Sequence, residues 1–367
     1  MNRLKRVLVA VIVLIVAVLA YLAFWPVPIY PVSWQPEADA GYTGPFAPND
    51  RLTAMKLFPL DPDRGPETIA ADKDNRLYTG VYSGKILRIN PDGSGITTVT
   101  NTGGRVMGIV FDPAGKLVVA DALKGILSIN PDGTYRTLID GSDGPESVGW
   151  FNSVAVANNG NVYGTVPGTR FHPARWGEAS AFMDIVEHGN TGKVYEFNPT
   201  TGARRVVAHG FHFTNGITVS QDQQFLFVAE SGGYRVWKIA IQANDVDVYQ
   251  HSPDATVLLD NLPGFPDNIT RGLDGRLWLG VPNPRNPVVD KWADHPTLRK
   301  ILLRLPEWLS PVPKQYGHVV AFNEDGSILV DLQDPTGKLL TMGATETPNG
   351  LYIQSQRSAS IGYLQKF

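Results

Sequence analysis

The stretch "RLYTGVYSGKILRINPDG" (76–93) returns 40 residues later as "KLVVADALKGILSINPDG" (116–133). Leu77, Ile86, Leu87, Ile89 and the NPDG turn of the first copy recur as Leu117, Ile126, Leu127, Ile129 and NPDG in the second. Similarity at a fixed spacing marks a supersecondary unit used more than once. Pro at the second turn position and Gly at the fourth fit a type I turn, so each copy reads strand, strand, turn, strand.

Weaker copies continue along the chain as "NVYGTV" with "GKVYEFNPTTG", "FLFVAE" with "YRVWKI", "RLWLGV" with "HVVAFNEDG", and "GLYIQS" with "SIGYL", giving 6 units with insertions in the third and fifth. Outer strands fit as "GITTVT", "YRTLID", "ARRVVA", "ATVLLD" and "SILVDL". A unit of this length with four strands is a propeller blade. The last unit ends without its outer strand, and "LTAMKLF" (52–58), ahead of the first unit, supplies it. Pairing the domain's start with its end removes an exposed sheet edge. The expected fold is all-β, a six-bladed β-propeller over residues 52–367 preceded by an N-terminal transmembrane helix. A β-sandwich is the alternative, and the in-phase copies argue against two face-packed sheets.

Outward from the repeats, the flanks are of other kinds. "MNRLKR" carries three cations, and the next 19 residues, through Trp25, carry no charge. That is long enough to cross a bilayer. A cleaved signal peptide competes, but the apolar run continues past the small residues Val18 and Ala20, so residues 1–25 are expected to be an uncleaved anchor. Cations ahead of the span keep the N-terminus cytoplasmic and place the propeller on the other side, in a periplasm, a lumen or the exterior. Residues 26–51 are rich in proline and read as an extended spacer. The chain has no cysteine, hence no disulfide frame and no thiolate nucleophile. A net charge of −3 on 367 residues gives no reason to expect a nucleic-acid partner.

In each unit a further short strand should line the central channel. Stepping back 10 residues from Leu77, Leu117, Val162, Leu277 and Leu351 gives Glu67, Met107, Asn152, Asp267 and Thr341; with one extra residue, Leu226 gives Asn215. Asn268 stands beside Asp267 in "GFPDN". Singly, each is an ordinary turn former. In shared phase they converge on one channel mouth, where buried acids without a cation would repel one another and resist desolvation. The donors are all hard oxygens, with no His or Cys, which points to a hard cation. Calcium fits best, because it accepts carboxamides and carboxylates in loose geometry.

These residues resemble a known superfamily: the six-bladed calcium propellers that include paraoxonases, the gluconolactonase and senescence marker group, and strictosidine synthase-like proteins. "GPETIA", "LVVADALKGIL", "TRF", "TGKVYEF", "GFHFTNGITVS", "FLFVAESGGYRVWKI" and "LPGFPDNI" are similar to its strictosidine synthase-like branch, some members of which are membrane-tethered. The resemblance runs from about residue 52 to the C-terminus and implies calcium ligands at Glu67, Asn152, Asn215, Asp267 and Asn268. In lactonase members the acid of the "PD" motif also handles the proton, which implies a catalytic role for Asp267. The chain departs from the paraoxonases, whose chemistry is ascribed to an early His pair, since its first histidine is His172. Strictosidine synthases use a glutamate in the last blade; Glu346 lies in the corresponding blade and is a candidate substrate contact.

Other candidates come from the residues alone. Asp121 ends the first strand of the second unit and is a catalytic base, a substrate contact or a turn starter. Arg105 could hold a substrate oxyanion, and His212 could contact substrate at the rim; a surface arginine and a solvated loop histidine are the plainer readings. Ser231 in "AESGG" lacks the glycine before it that a hydrolase elbow has. "GNTGK" (189–193) lacks the Walker spacing.

Helical material is expected in the insertions near 168–190 and 284–316. In the second, Leu298, Ile301, Leu302, Leu305 and Leu309 fall near one helical face, with Arg299, Lys300, Arg304 and Trp308 close by. Packing on the propeller, a substrate lid, or a helix resting on the membrane are the readings. Together these readings describe a membrane-anchored, calcium-dependent hydrolase acting on a small-molecule lactone or related ester, the substrate apolar if it is drawn from the bilayer. The alternative is a noncatalytic propeller that calcium stabilises and that binds a ligand or protein.

Overall fold

The NPDG segments turn as their composition requires. Gly93 N bonds Asn90 O and Gly133 N bonds Asn130 O, both at 2.9 Å, and the two glycines sit at φ 84° and 83°, where side chains are strained. The strands they join pair in the same register, Leu77 with Ile89 and Leu117 with Ile129. The repeat in sequence is therefore a repeat in structure. In this computed structural model, which describes residues 3–142, 148–309 and 315–367, the described residues form 6 sheets arranged as a propeller, antiparallel but for one added strand.

The innermost strands, in chain order, are Ile69–Ala71, Val106–Phe111, Val154–Val156, Thr214–Val219, Ile269–Arg271 and Gly343–Thr347. Blade three gains a fifth strand, Val246–Asp247, parallel to its outer strand Arg204–Phe211. Closure occurs as expected: Lys56–Pro59 pairs antiparallel with Ser360–Leu364, so the domain's first strand is the outer strand of its last blade. Neighbouring blades are latched by threonines. Thr165 Oγ1 donates to the Asn215 carbonyl at 2.7 Å and Thr345 Oγ1 to the Ile69 carbonyl at 2.8 Å.

The core is divided like the fold. Between blades one and two lie Ile86, Val119, Leu127 and Ile129; between five and six lie Leu52, Trp278, Leu332, Leu351 and Ile353. Both faces of each sheet are thus buried, which explains why the second and third strands of the blades read as nearly continuous apolar runs.

The N-terminal helix, Arg3–Phe24, has no buried residue and is long and apolar enough to cross a membrane. The proline-rich stretch after it is extended, as its composition dictates, but it is not a free spacer. Ile29 is fully buried with Phe171, Met183, Val186 and Leu302. Tyr30 N donates to Glu187 Oε2 at 2.7 Å, and Trp34 N to the Ala293 carbonyl at 3.2 Å. Its few apolar side chains are what fasten it across the face of the domain.

The first insertion contains the helices Pro173–Trp176 and Ala179–Glu187; the second contains Pro287–Lys291, Pro296–Leu302 and the 3-10 turn Glu307–Leu309, while its residues 310–314 lie outside the described residues. Of the readings for Pro296–Leu302, packing holds. Leu302 is buried against the first insertion, and Arg299 is buried, donating to the carbonyls of Val186 and Val32. Arg304 turns back to the anchor, donating to the carbonyls of Trp25 at 2.8 Å and Leu22 at 2.5 Å. A cation there satisfies carbonyls that the end of a helix leaves without a partner.

Candidate metal centre

Glu67, Asn152, Asn215, Asp267 and Asn268 all stand at or just before the start of an innermost strand, in blades one, three, four and five. Glu67, Asn152, Asn215 and Asn268 are 3%, 3%, 4% and 1% exposed. Asp267 keeps part of its surface open, though its Oδ1 is enclosed. Buried polar atoms in folded proteins nearly always have a hydrogen-bond partner. Here Oδ1 of Asn152, Asn215, Asp267 and Asn268 are all enclosed without one.

Two of these carboxamides have their orientation fixed by neighbours. Ser231 Oγ donates to the Pro266 carbonyl at 2.6 Å, so it can only accept from Asn215, whose Nδ2 lies 3.2 Å away. Asn268 Nδ2 faces the Glu67 carbonyl, a pure acceptor, at 3.2 Å. In both residues the oxygen must therefore point the other way. Buried oxygens left bare are what a hard cation requires. Among the described residues no group of three or more His, Cys, Asp or Glu forms a metal cluster; this set consists of three carboxamides and two carboxylates, and it fits calcium better than zinc or copper.

Without a cation the two carboxylates are strained electrostatically. Burial pushes Glu67 up to about 7, against the opposing pull of Arg105. Burial, then the charge of Glu67, holds Asp267 well above the usual carboxylate range.

Of the other expected residues, Arg105 does join the site. Its Nη2 lies 3.4 Å from Glu67 Oε2, its guanidinium sits 4.0 Å over the Tyr82 ring, and its Nε is buried without a partner. Asp121 does not present a free carboxylate. It is fully buried, Oδ1 accepts from the backbone N–H of Arg105 and Leu123, both at 2.9 Å, and Oδ2 accepts from Thr102 Oγ1 at 2.7 Å. With both oxygens engaged in shaping its own loop, it orients Arg105 and is not placed as a proton carrier. Glu346 is also corrected. Gly343, where its strand begins, packs against Asn268, but Glu346 lies three residues further on and accepts from Leu273 N at 3.0 Å and Trp278 Nε1 at 2.9 Å. That hairpin closes the far end of blade five's inner strand, so Glu346 sits about 10 Å down the channel from the oxygens and serves as a structural acceptor.

His212 lines a pocket of about 270 Å³ beside the mouth, together with Trp34, His188, Tyr234, Tyr249 and Arg285. The rings of Trp34, His188 and His212 form one stack with 3.9 Å between successive centroids. Burial lowers the His212 pKa, opposed by the charge of Glu230, and Nδ1 lies 3.1 Å from the Gly189 carbonyl. The contribution of Trp34, from a stretch read as a spacer, had no signal in the repeat.

Ser231, set aside in the sequence as a nucleophile, has instead the role of holding Asn215, which its local motif does not signal. The aromatic residues Trp150, Phe213 and Phe265 each stand two positions before a member of the oxygen set, a pattern that aligning the repeats could have revealed. Trp150 and Phe213 pack with Met107 and Ala122 beneath Ala181 and Ile185, so the helix Ala179–Glu187 roofs this part of the mouth. Phe213 holds φ 67°, a left-handed backbone that is costly for a bulky residue and recurs where surroundings fix a functional segment.

Comparison with known proteins agrees with the architecture. Residues 44–89 match the family description "Strictosidine synthase-like, N-terminal" and residues 152–244 match "Strictosidine synthase". Protein STRICTOSIDINE SYNTHASE-LIKE 6 of Arabidopsis thaliana is 30% identical over 291 residues, covering 77% of this chain and 72% of that protein. The chain belongs to the strictosidine synthase-like family. This strictosidine synthase-like chain is also similar to the adipocyte plasma membrane-associated protein of Salmo salar, at 29% identity over 343 residues, 86% of this chain and 79% of the relative. Among solved structures, a gluconolactonase from Xanthomonas campestris superposes with a TM-score of 0.58 at 18% identity, covering 94% of this chain and 98% of that one. Regucalcin, a calcium-binding protein from Agrobacterium tumefaciens, gives 0.56 at 12% identity, covering 85% and 93%. At such identities the structures speak for the shared propeller fold alone.

Proposed function

We propose that the chain is a membrane-anchored, calcium-dependent hydrolase that opens a lactone or cleaves a related ester. The observation that carries this reading is the set of four enclosed, unpartnered oxygens beside Glu67. The names of the gluconolactonase and regucalcin neighbours support calcium and lactone chemistry in this fold, and the exposed apolar helix, with a plasma membrane-associated relative, supports the anchor. Cations ahead of the span support a cytoplasmic N-terminus and a propeller on the far side of the membrane.

Glu67, Asn152, Asn215, Asp267 and Asn268 would hold the cation, with Glu67 and Asp267 balancing its charge. Bound there, calcium supplies Lewis acidity toward a substrate carbonyl. Arg105, fixed by Asp121 and by the Tyr82 face, places a second positive charge next to Glu67. Asp267 is the member of the set with open surface, which supports it as the group that moves a proton. It takes one proton as water oxygen adds to the acyl carbon, and returns it to the departing alkoxide oxygen as the acyl C–O bond breaks. Donors fixed in advance where negative charge develops are the strongest catalytic contribution of such sites.

The test is a panel of lactones, aryl esters and phosphotriesters assayed with residues 26–367 in calcium and in chelator. Chelator-sensitive turnover of lactones or esters is expected. The roof over the mouth favours a second reading, a binding propeller whose calcium is purely structural; calcium binding with no turnover of any panel member would select it.

A further inference from the structure

The oxygen set draws on four unpartnered acceptors at the channel mouth and leaves an unpartnered donor there unexplained. Trp150 is 3% exposed, and its Nε1 is enclosed with no hydrogen-bond partner. A buried indole N–H ordinarily finds an acceptor. Around it are Met107, Ala122 and Phe213, with Ala181 and Ile185 packed against them; of these only the Met107 thioether is an acceptor, a weak one, and it makes no bond to the indole. Trp150 precedes Asn152 by two residues, and the Phe213 ring against it, 6.2 Å away and edge-on, precedes Asn215 by two. The donor therefore sits in a packed apolar cluster, two residues along the chain from Asn152 and against the ring that stands two residues before Asn215. Arg105 Nε, also enclosed and unpartnered, is another such donor beside the set.

An apolar enclosure with one bare N–H is complementary to a ligand with an apolar body and one oxygen acceptor. We propose that the Trp150 indole donates to the acyl oxygen of the substrate, and that the apolar cluster around it, on opening, takes an aliphatic acyl chain in preference to a hydroxylated one. A polyhydroxylated lactone would bury hydroxyl groups against Met107, Phe213 and Ile185 with only the weak thioether acceptor to bond, at a cost that a hydrocarbon chain does not meet. The roof helix Ala179–Glu187 must yield for such a chain to enter, because Ala181 and Ile185 already pack there. This inference rests on the hydrolase reading for its substrate, and its binding component can be examined without turnover.

The experiment uses the calcium-loaded full chain in nanodiscs with 15N-labelled tryptophan. The Trp150 indole resonance is assigned by its absence from Trp150→Phe. Hexanoate and gluconate, as carboxylates of the two product classes, are titrated separately. Hexanoate should shift the Trp150 indole proton downfield and gluconate should not; Trp150→Phe should weaken hexanoate binding about tenfold, the worth of one buried hydrogen bond to a charged group, with calcium affinity unchanged. If aliphatic esters are turned over, the same substitution should lower kcat by a similar factor and move KM little, since the bond strengthens as charge develops on the oxygen. An indole proton that stays in place while hexanoate binds, no hexanoate binding at all, or equal responses to both carboxylates would overturn the proposal. A hexanoate shift without turnover of any ester would leave Trp150 as the acceptor-reading donor and remove the hydrolase reading alone.

Discussion

Asn268 donates from its Nδ2 to the backbone carbonyl of Glu67 at 3.2 Å, joining blade five to blade one past the inner strand of blade six. One carboxamide thus does two things: its nitrogen ties together residues 201 positions apart in sequence, and its oxygen is left bare in the channel. Asn268→Ala should weaken calcium binding at least tenfold. In chelator, loss of the tie should cost only about 1 kcal/mol, the usual net worth of one hydrogen bond. Calorimetric calcium titration paired with melting curves in chelator separates the two effects, and unchanged calcium affinity would remove Asn268 from the site.

Ser231 offers a finer test, since it touches Asn215 and not the channel oxygens. Ser231→Ala frees the Asn215 carboxamide to rotate and leaves the Pro266 carbonyl without its donor. Calcium affinity should fall several-fold, less than in Asn215→Ala, with a stability loss of about 1–3 kcal/mol from the unpaired carbonyl. Equal affinity in Ser231→Ala and the parent would mean that the amide orientation is held by something else.

The raised carboxylates set a sign for pH dependence. Glu67 titrates near 7 when folded, above its ordinary 4.5, and Asp267 moves in the same direction. The metal-free folded chain therefore keeps protons that the unfolded chain releases, and its stability should fall as pH rises through the interval between those two values. Calcium must displace these protons, so the rise in Tm on adding calcium should be larger near pH 8 than near pH 5. Melting curves in chelator and in calcium across that range check it. A calcium gain independent of pH would contradict the two-carboxylate site, and Glu67→Gln should flatten the slope in chelator.

Truncations from the N-terminus should fall into three classes. A chain starting at residue 26 keeps the strap and should fold. Starting at 52 removes Ile29 and Trp34, uncovering Phe171, Met183 and Leu302 and one face of the His188 ring; the domain should melt earlier and bind hydrophobic dye. Starting at 61 also removes Lys56–Pro59 and leaves the last blade with an open edge, a template for aggregation. Size-exclusion profiles distinguish the three, and a monodisperse chain starting at 61 would show that closure by this strand is dispensable.

Leu302 separates packing from membrane contact in the second insertion. Because it is 3% exposed among Ile29, Met183 and Val186, Leu302→Ala should lose about 2–5 kcal/mol in denaturant unfolding. Vesicle flotation of the anchor-free domain should not depend on this residue. A variant as stable as the parent would return Leu302 to the surface.

The sequence by itself determined the propeller, because the pattern that specifies a blade is local: alternating strands, an NPDG turn and a fixed spacing repeat often enough to count. It also picked out Glu67, Asn152, Asn215, Asp267 and Asn268, since residues at one phase of a repeat must arrive at one level of the channel. Tertiary structure decided what does not repeat. Asp121 and Glu346 share the chemistry of Asp267, yet one folds back on its own loop and the other sits down the channel, a difference fixed by backbone partners that single residues do not announce. The proline-rich stretch looked like a spacer because composition sets its extended conformation, whereas its docking depends on Ile29 and Trp34 meeting surfaces built from the two insertions. Ser231 and Trp150 acquire their roles only from distances across blades, where burial turns an ordinary hydroxyl into an orienting group and an ordinary indole into a donor without an acceptor.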